Sequence, residues 1–248
     1  MREVPSAALS ALIHPLWVEA FPWLIQGTTV RADRAEPFDL GLFSDASPPR
    51  AVLGAWERLR RGSGCPRVVH AHQVHGATVR AHDTGAPGLH LAEACDGHAT
   101  DVAGTLLAVT TADCVPVFLV DPERRAVALL HAGWKGAAGG ILERGLEVLE
   151  ERFGSRPADL AVHLGPAICG LCYEVGPEVF MELGLDSPPA PSPVDLRALL
   201  ARRALERGVR ATTLSVSTHC TRCGGSGLFF SHRGGDRARQ VGFLGLRP

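Results

Sequence analysis

Continuous apolar runs dominate the middle of the chain and predict strands that are covered on both faces. Such runs of about four to eight residues, bounded by turn residues, are typical of buried strands. They occur at 67–69, 106–110, 115–120, 126–130, 160–164, 212–216 and 241–244. The sequence therefore predicts at least seven strands, most of them in the interior.

Two segments have helical spacing instead. After the glycine-rich run 136–140, apolar residues at 141, 142, 146 and 149 fall on one helical face. Asp195 is placed to cap a second helix that runs to about Arg207, with leucines at 196, 199, 200 and 205 on its apolar side. The preceding run SPPAPSP, 187–193, indicates a surface loop. Because strands and helices mix without strict βαβ alternation, we expect an α+β fold built in layers.

Length and charge narrow the class of protein. A chain of 248 residues with 46% hydrophobic residues suits one domain spanning 1–248. A net charge of −1 gives no reason to expect a nucleic-acid or membrane partner. No apolar run approaches the 18 or so residues of a membrane span. We expect a cytoplasmic protein that acts on small molecules, as a monomer or weak dimer.

Seven cysteines, an odd number, argue against a secreted disulfide framework and favour metal binding or catalysis. One of them lies in the segment 111–136, where two apolar runs flank a turn at Asp121-Pro122-Glu123-Arg124. If 121 pairs with 124 in a hairpin, Cys114 lies directly opposite His131. Opposed residues have Cβ atoms roughly 4.5–5.5 Å apart, close enough to share a metal ion. A bulge in the turn would break this argument.

Cysteine and histidine together suit zinc better than magnesium or calcium. The best source of a third ligand is the run His70-Ala71-His72-Gln73-Val74-His75-Gly76, which holds three histidines and ends in a glycine where the strand must turn. Three protein ligands would leave a fourth position open for chemistry. The ordinary alternative is a buried cysteine that acts as a small hydrophobe and a histidine at the surface.

Two other metal arrangements are also possible. Cys169 to Cys172 and Cys220 to Cys223 are C-x-x-C pairs, but the 47 residues between them are many for a compact zinc ribbon. They could form a structural Cys₄ site or redox pairs, or stay reduced near loops with Cys172 close to the pocket. His70-Ala71-His72 is an H-x-H pair of the kind found in type-3 copper centres. Because the 11 histidines include only one such pair, a full copper cluster is implausible.

Several longer motifs resemble one known family. They are HQVHG, the run from Asp96-Gly97 through TTADCVPV, HAGWKG, LGPAICGLCYEVG, THCTRC and FFSHRGG. Together and in this order they are similar to the signature blocks of the YfiH family. That family carries the label "laccase domain" or "polyphenol oxidase" and includes purine nucleoside phosphorylases. The similarity covers nearly the whole chain.

The resemblance implies a fold, a metal and an activity. The fold would be an α/β/β/α arrangement of two facing mixed sheets flanked by helices, as in the cytotoxic necrotising factor catalytic domain. The metal would be zinc, bound by His75, Cys114 and His131. The activity would be phosphorolysis of adenosine, inosine, guanosine and methylthioadenosine, together with adenosine deamination. Two alternatives stay open: a copper-dependent polyphenol oxidase, and a metal-free hydrolase with Cys114 as nucleophile and His131 as base.

Further site residues follow from these hypotheses. A zinc ion would activate water for deamination, with Asp113 or His72 beside a ligand as general acid or base. Phosphorolysis needs an anion site, for which Arg31, Arg233 and Arg239 are candidates. Glu174 would hold ribose hydroxyls. The chain departs from the family at His232-Arg233-Gly234, Ala238-Arg239-Gln240 and 28–33, which puts substrate preference in doubt more than the metal.

Overall fold

The computed structural model describes residues 1–33, 36–224 and 227–248. Its strands are β1 Val4–Pro5, β2 Ala11–Ile13, β3 Leu24–Thr29, β4 Ala32–Asp33, β5 Glu36–Pro37, β6 Arg67–Ala71, β7 Val79–Ala81, β8 Gly88–Ala92, β9 Gly97–Thr100, β10 Thr105–Thr111, β11 Val115–Asp121, β12 Ala126–Ala132, β13 Ala161–Leu164, β14 Glu174–Val175, β15 Ser192–Pro193, β16 Leu214–Val216 and β17 Gln240–Leu246. Its helices are α1 Pro15–Ala20, α2 Pro49–Ser63, α3 Trp134–Ala138, α4 Ile141–Phe153, α5 Pro177–Glu182 and α6 Leu196–Glu206.

Two large sheets form the centre of the molecule. The first has the strand order β1-β2-β3-β17-β10-β6-β8 and the second has the order β16-β13-β11-β12-β9-β7. Both sheets are mixed, because β6 runs parallel to β8 and β10, while β10 runs antiparallel to β17. In the second sheet β7 and β9 are parallel and β11 and β12 are antiparallel.

Alternating side chains build a layer on each face of these sheets. On β10, Leu107 and Val109 pack between the two sheets with Phe118 and Leu129 of the second sheet. The neighbouring Leu106 and Ala108 instead pack with α2 on the outer face of the first sheet. Helices α4 and α6 cover the outer face of the second sheet. The predicted α/β/β/α layering is therefore confirmed, while the likeness to the necrotising factor domain and the single domain spanning 1–248 stay predictions.

The strands and helices predicted from the sequence are present, together with several that were not predicted. All seven predicted strands form, although the last-but-one is reduced to β16. The two predicted helices are α4 and α6, and Asp195 caps α6 by accepting a hydrogen bond from the Ala198 N–H at 3.0 Å. The elements that were not predicted include α2 and β3. In β3, the polar residues Gln26, Thr28 and Thr29 are buried. The run 187–193 is mostly exposed and irregular and ends in β15. No helix among the described residues has the length and apolar character needed to cross a membrane.

The hairpin of β11 and β12 forms, but the predicted register is wrong. Asp121 pairs with Ala126, and His131 pairs with Pro116 rather than with Cys114. The loop is longer because Arg125 adopts a left-handed conformation with φ 51°, while Asp121 Oδ1 accepts hydrogen bonds from the Glu123 and Arg124 N–H groups. The paired numbers thus sum to 247 instead of 245. An even shift leaves side chains on the same face, so Cys114 and His131 become diagonal neighbours instead of opposed ones.

Candidate metal centre and adjoining cavity

Three chain segments bring His75, Cys114 and His131 together. Cys114 directly precedes β11, His131 lies near the end of β12, and His75 lies in the turn that follows β6. Their ligand atoms all lie within 4.8 Å of one another. His75 has φ 60° and Asp113, next to Cys114, has φ 90°. Such left-handed backbone is uncommon outside glycine and is often found at functional sites.

Gly133 leaves the room that these side chains occupy. A Cβ atom at this position would lie 3.0 Å from Cys114 Sγ and 3.1 Å from His75 Cδ2. Contacts this short would push the thiol or the imidazole aside. The glycine that follows β12 is therefore part of the site, although it contributes no functional group.

Asp96, which carried no predicted role, fixes two of the three residues. Its Oδ1 accepts a hydrogen bond from His131 Nδ1 at 2.8 Å and from the His75 N–H at 2.9 Å. Its Oδ2 accepts from the N–H groups of Val74 at 3.1 Å and Gly76 at 2.8 Å. The carboxylate is fully buried. It orients the His131 ring and leaves Nε2 for a ligand, as carboxylates behind metal-bound histidines do.

The electrostatics of the group favour a thiolate. Burial raises the pKa of the Cys114 thiol, but the charge on His131 and hydrogen bonds with His131 and His75 outweigh burial and bring this pKa to about 6. Burial lowers the pKa of His131, but the neighbouring Cys114 thiolate and the Asp96 carboxylate raise it to about 9. A thiolate is the form of cysteine that binds metals or attacks carbonyl groups.

These residues fit a borderline-soft metal ion. One thiolate and two imidazoles converge, one imidazole is oriented by a buried carboxylate, and a Cβ atom at Gly133 would obstruct the space between them. This donor set suits zinc or copper and is unlike the all-oxygen sets of magnesium and calcium. Three protein donors leave a coordination position available to another molecule.

A cavity of about 330 Å³ opens at this group. Phe43 is 54% exposed, and its ring lies 4.7 Å from the ring of His72. Gln73 binds Thr110 through three hydrogen bonds of 2.7–2.9 Å, which hold the loop carrying His72 and His75 against β10. The residues that line the cavity are Gly41, Leu42, Phe43, Ser44, His72, Gln73, His75, Thr110, Thr111, Ala112, Cys114, His131, His232 and Arg239.

The H-x-H pair is divided between two environments. His72 is exposed and lines the cavity, whereas His70 is buried, stacks on Trp56 and contacts the Ala108 carbonyl through Nδ1 at 3.0 Å. Among the described residues, neither belongs to a cluster of three or more converging ligand atoms. The pair therefore does not build a copper centre of the type-3 kind within that part of the chain.

Asp113 lies behind the site and has both carboxylate oxygens engaged. Oδ1 accepts a hydrogen bond from Thr221 Oγ1 at 2.6 Å, and Oδ2 accepts from the Arg233 N–H at 2.7 Å. Asp113 is buried and is not part of the cavity lining. Both carboxylate oxygens thus accept hydrogen bonds from groups outside the cavity lining, and the role of Asp113 as general acid or base stays a prediction.

The four predicted substrate-binding residues are spread over the surface. Of these four residues, only Arg239 lines the cavity at His75, Cys114 and His131. Arg31 pairs with Asp236 at 3.0 Å and lines a different cavity of about 210 Å³. Arg233 lies over the Tyr173 ring and donates to the main-chain carbonyl of Glu174, which is exposed. The structure thus places Arg239, but not Arg31, Arg233 or Glu174, in the lining of this cavity, although the Arg233 N–H donates to Asp113, next to Cys114.

The fold and the site together define a layered, mixed α/β protein with a cysteine–histidine centre at a ligand-sized cavity. The sequence model of a family described as "Multi-copper polyphenol oxidoreductase laccase" matches residues 28–247. The chain belongs to this laccase-labelled family, in agreement with the YfiH resemblance of its motifs.

Individual relatives agree in fold and carry enzyme names. "Purine nucleoside phosphorylase YlmD" of Geobacillus stearothermophilus is 38% identical over 206 residues, 73% of each chain. Its crystal structure covers 100% of both chains with a TM-score of 0.89 and 29% identity. The structure of the Bacillus licheniformis "hypothetical protein YfiH" covers 97% of this chain and 98% of its own, with a TM-score of 0.86 and 27% identity. "Adenosine deaminase RL5", from an unknown prokaryotic organism, is 35% identical over 167 residues, 62% of each chain. These names indicate that the chain is an enzyme.

Proposed function

We propose that this protein is a zinc-dependent purine nucleoside phosphorylase acting on adenosine, inosine, guanosine and methylthioadenosine, with adenosine deaminase activity as well. The observation that carries the proposal is the convergence of His75, Cys114 and His131 at a cavity of about 330 Å³. Cavities of a few hundred Å³ suit small organic ligands. The names of the relatives supply the class of substrate.

Zinc is favoured over copper by the ligand set. Multicopper centres use many histidines, whereas the two clusters of converging ligand atoms in the described part of the chain contain two histidines and five cysteines in all. We assign zinc to His75, Cys114 and His131. A zinc ion bound there would supply a Lewis acid at neutral pH. The protein's own residues would hold the nucleoside, orient phosphate and transfer protons.

The purine is proposed to lie against Phe43. This ring is more than half exposed, yet it lines a cavity in which His72 also presents its imidazole. Bases stack on aromatic rings with about 1–3 kcal/mol per base. His72 would then exchange a proton with the departing base, because a positioned imidazole can act as a general acid or base.

The phosphate is proposed to bind Arg239. Nη1 of Arg239 donates to the carbonyls of Arg237 at 2.8 Å and Ala238 at 2.9 Å, which holds the guanidinium at the cavity wall. Guanidinium groups match phosphate oxygens in a bidentate manner. Arg31, which pairs with Asp236 at the other cavity, serves as a comparison.

Replacing Arg239 by glutamine is expected to raise the KM for phosphate by about 10- to 100-fold, since a charge-assisted contact is worth ~1.5–3 kcal/mol. Arg31→Gln is the matched control and should change this KM by less than about threefold. Steady-state kinetics with varied phosphate at saturating nucleoside would measure both. Equal effects of the two substitutions would remove Arg239 from the phosphate site.

A product assay tests the proposed reaction. Zinc-loaded protein is incubated with adenosine, with and without phosphate, and the products are separated by chromatography. Adenine and ribose 1-phosphate that form only with phosphate establish phosphorolysis, and inosine establishes deamination. If neither product forms at full zinc occupancy, the proposed activity is wrong.

One observation favours a second candidate, a metal-free cysteine hydrolase. The pKa of Cys114 near 6 and that of His131 near 9 describe a thiolate–imidazolium pair, as in cysteine nucleophiles activated by histidine. The two candidates respond differently to a chelator. An alkylating reagent would inactivate either enzyme, whereas prolonged treatment with a zinc chelator would inactivate only the zinc enzyme.

A further inference from the structure

A second group of converging ligands lies apart from the cavity and consists of cysteines alone. The Sγ atoms of Cys169, Cys172, Cys220 and Cys223 all lie within 4.8 Å of one another. None of these residues lines the cavity at the cysteine–histidine centre. The two C-x-x-C pairs are separated by 47 residues in sequence, but the fold brings them together in space. Their separation in sequence therefore does not prevent a shared metal site.

Main-chain pairing holds the two C-x-x-C turns side by side. The Cys172 N–H donates to the Cys169 carbonyl at 3.0 Å, and the Gly224 N–H donates to the Cys220 carbonyl at 3.1 Å. Between the turns, Ala167 and Cys220 form a parallel β-bridge, and the Thr221 N–H donates to the Ala167 carbonyl at 3.1 Å. The approach of the sulfur atoms therefore follows from the backbone.

One sulfur–sulfur distance in the cluster equals that of a tetrahedral metal site, and all of them are within 4.8 Å. Four thiolates at about 2.3 Å from zinc have neighbouring sulfur atoms ~3.8 Å apart. Cys169 Sγ and Cys223 Sγ are 3.8 Å apart. The sulfur atoms of a disulfide would be only about 2.05 Å apart, and the seven cysteines of the chain are all unpaired.

The main chain around Cys220 favours a thiolate at that position, and an arginine lies beside the cluster. Cys220 Sγ accepts hydrogen bonds from the N–H groups of Cys169 at 3.2 Å and Cys223 at 3.4 Å. Hydrogen bonds to the charged form stabilise that form. Four thiolates around a divalent ion leave a negative charge, and the Arg222 guanidinium lies beside the cluster, where it donates to the Cys172 carbonyl at 3.1 Å.

We propose that Cys169, Cys172, Cys220 and Cys223 bind one zinc ion in a closed tetrathiolate site. Four protein ligands leave no open position, so the site is structural and not catalytic. The site is also connected to the segment that carries Cys114. Thr221, next to Cys220, donates to Asp113 Oδ1 at 2.6 Å, and the N–H of Ile168 donates to the Asp113 carbonyl at 3.0 Å. The tetrathiolate site thereby fixes the two segments that hold Asp113 and, through it, Cys114.

The test uses a variant that removes the first centre. His75→Ala combined with Cys114→Ala takes two of the three ligands from the cavity, and the full-length variant is purified without chelator. Metal analysis is expected to find one zinc ion per chain in this variant. Adding Cys172→Ser and Cys223→Ser should reduce that count to zero, whereas adding Cys65→Ala, which removes a buried thiol outside both clusters, should leave it at one.

A second measurement does not depend on the folding of the cysteine variants. The cavity variant is stripped of zinc under reducing conditions and titrated with Co²⁺ alone. One equivalent should develop the intense visible bands and sulfur-to-metal charge transfer of a tetrathiolate, and zinc should abolish them. The proposal is overturned if the cavity variant contains no zinc as purified and also develops no cobalt spectrum. It is likewise overturned if the mass of this variant shows that hydrogens have been lost through the formation of one or two disulfides. Failure of the proposed nucleoside chemistry would leave these results unchanged, because the cavity variant already lacks that centre.

Discussion

Replacing Cys114 by alanine is expected to abolish nucleoside phosphorolysis, lowering kcat/KM by about a thousandfold or more. Cys114 is the only thiolate in the cavity group, and its pKa is held near 6 by His131 and His75. Without it, two imidazoles would remain for the proposed zinc ion, which catalytic sites hold with three protein ligands. A thousandfold loss corresponds to ~4 kcal/mol of transition-state stabilisation. Steady-state kinetics with adenosine and phosphate, together with zinc analysis, would measure the loss.

The control for this variant is Cys65→Ala. Cys65 is buried against the helix α2 side of the first sheet and takes no part in either cluster. Both variants should retain the far-ultraviolet circular dichroism of the parent protein. Full activity of the Cys114→Ala protein would remove this residue from the chemistry and the zinc from the reaction.

Asp96→Asn is expected to weaken zinc binding by about 10- to 100-fold, as changes behind metal ligands commonly do, and to lower activity in parallel. Each carboxylate oxygen accepts two hydrogen bonds, so an amide NH₂ in place of either oxygen would face two N–H donors. The charge that supports His131 would also be lost. Metal affinity is measured by competition with a chromophoric chelator.

Asp121→Asn is the matched control, since Asp121 is a buried carboxylate at the turn end of β11 and accepts two main-chain hydrogen bonds. Its substitution should lower the melting temperature without changing zinc affinity. Equal zinc affinities for the Asp96→Asn and parent proteins would show that Asp96 does not support the metal ligands.

The sequence was enough to predict the layered fold and the convergence of His75, Cys114 and His131, but the two predictions succeeded for different reasons. Strands that are buried on both faces have continuous apolar runs in the sequence, so β10, β11 and β12 were predictable. The ligand pair survived an incorrect register because the error was an even number of residues, which preserves the face of each strand. Strand β3 was not predictable in this way, because its buried polar residues break the apolar pattern.

The remaining site residues depend on contacts that sequence spacing does not encode. Asp96 is distant in sequence from His131, and the only signal for it was the motif that starts at Asp96-Gly97. With many arginines in the chain, residue type alone could not separate Arg239, which lines the cavity, from Arg31, which pairs with Asp236. The four cysteines converge through a bridge at Ala167 and Cys220 that no local pattern predicts.

The most direct test of the zinc phosphorylase proposal is reconstitution of the metal-free protein. Apoprotein is divided into portions that receive zinc, copper or no metal, and each portion is assayed for adenosine phosphorolysis and for phenol oxidation. We predict phosphate-dependent release of adenine in the zinc portion and only background activity in the portion without metal. Phenol oxidation confined to the copper portion, with no adenine released by the zinc portion, would contradict the proposal.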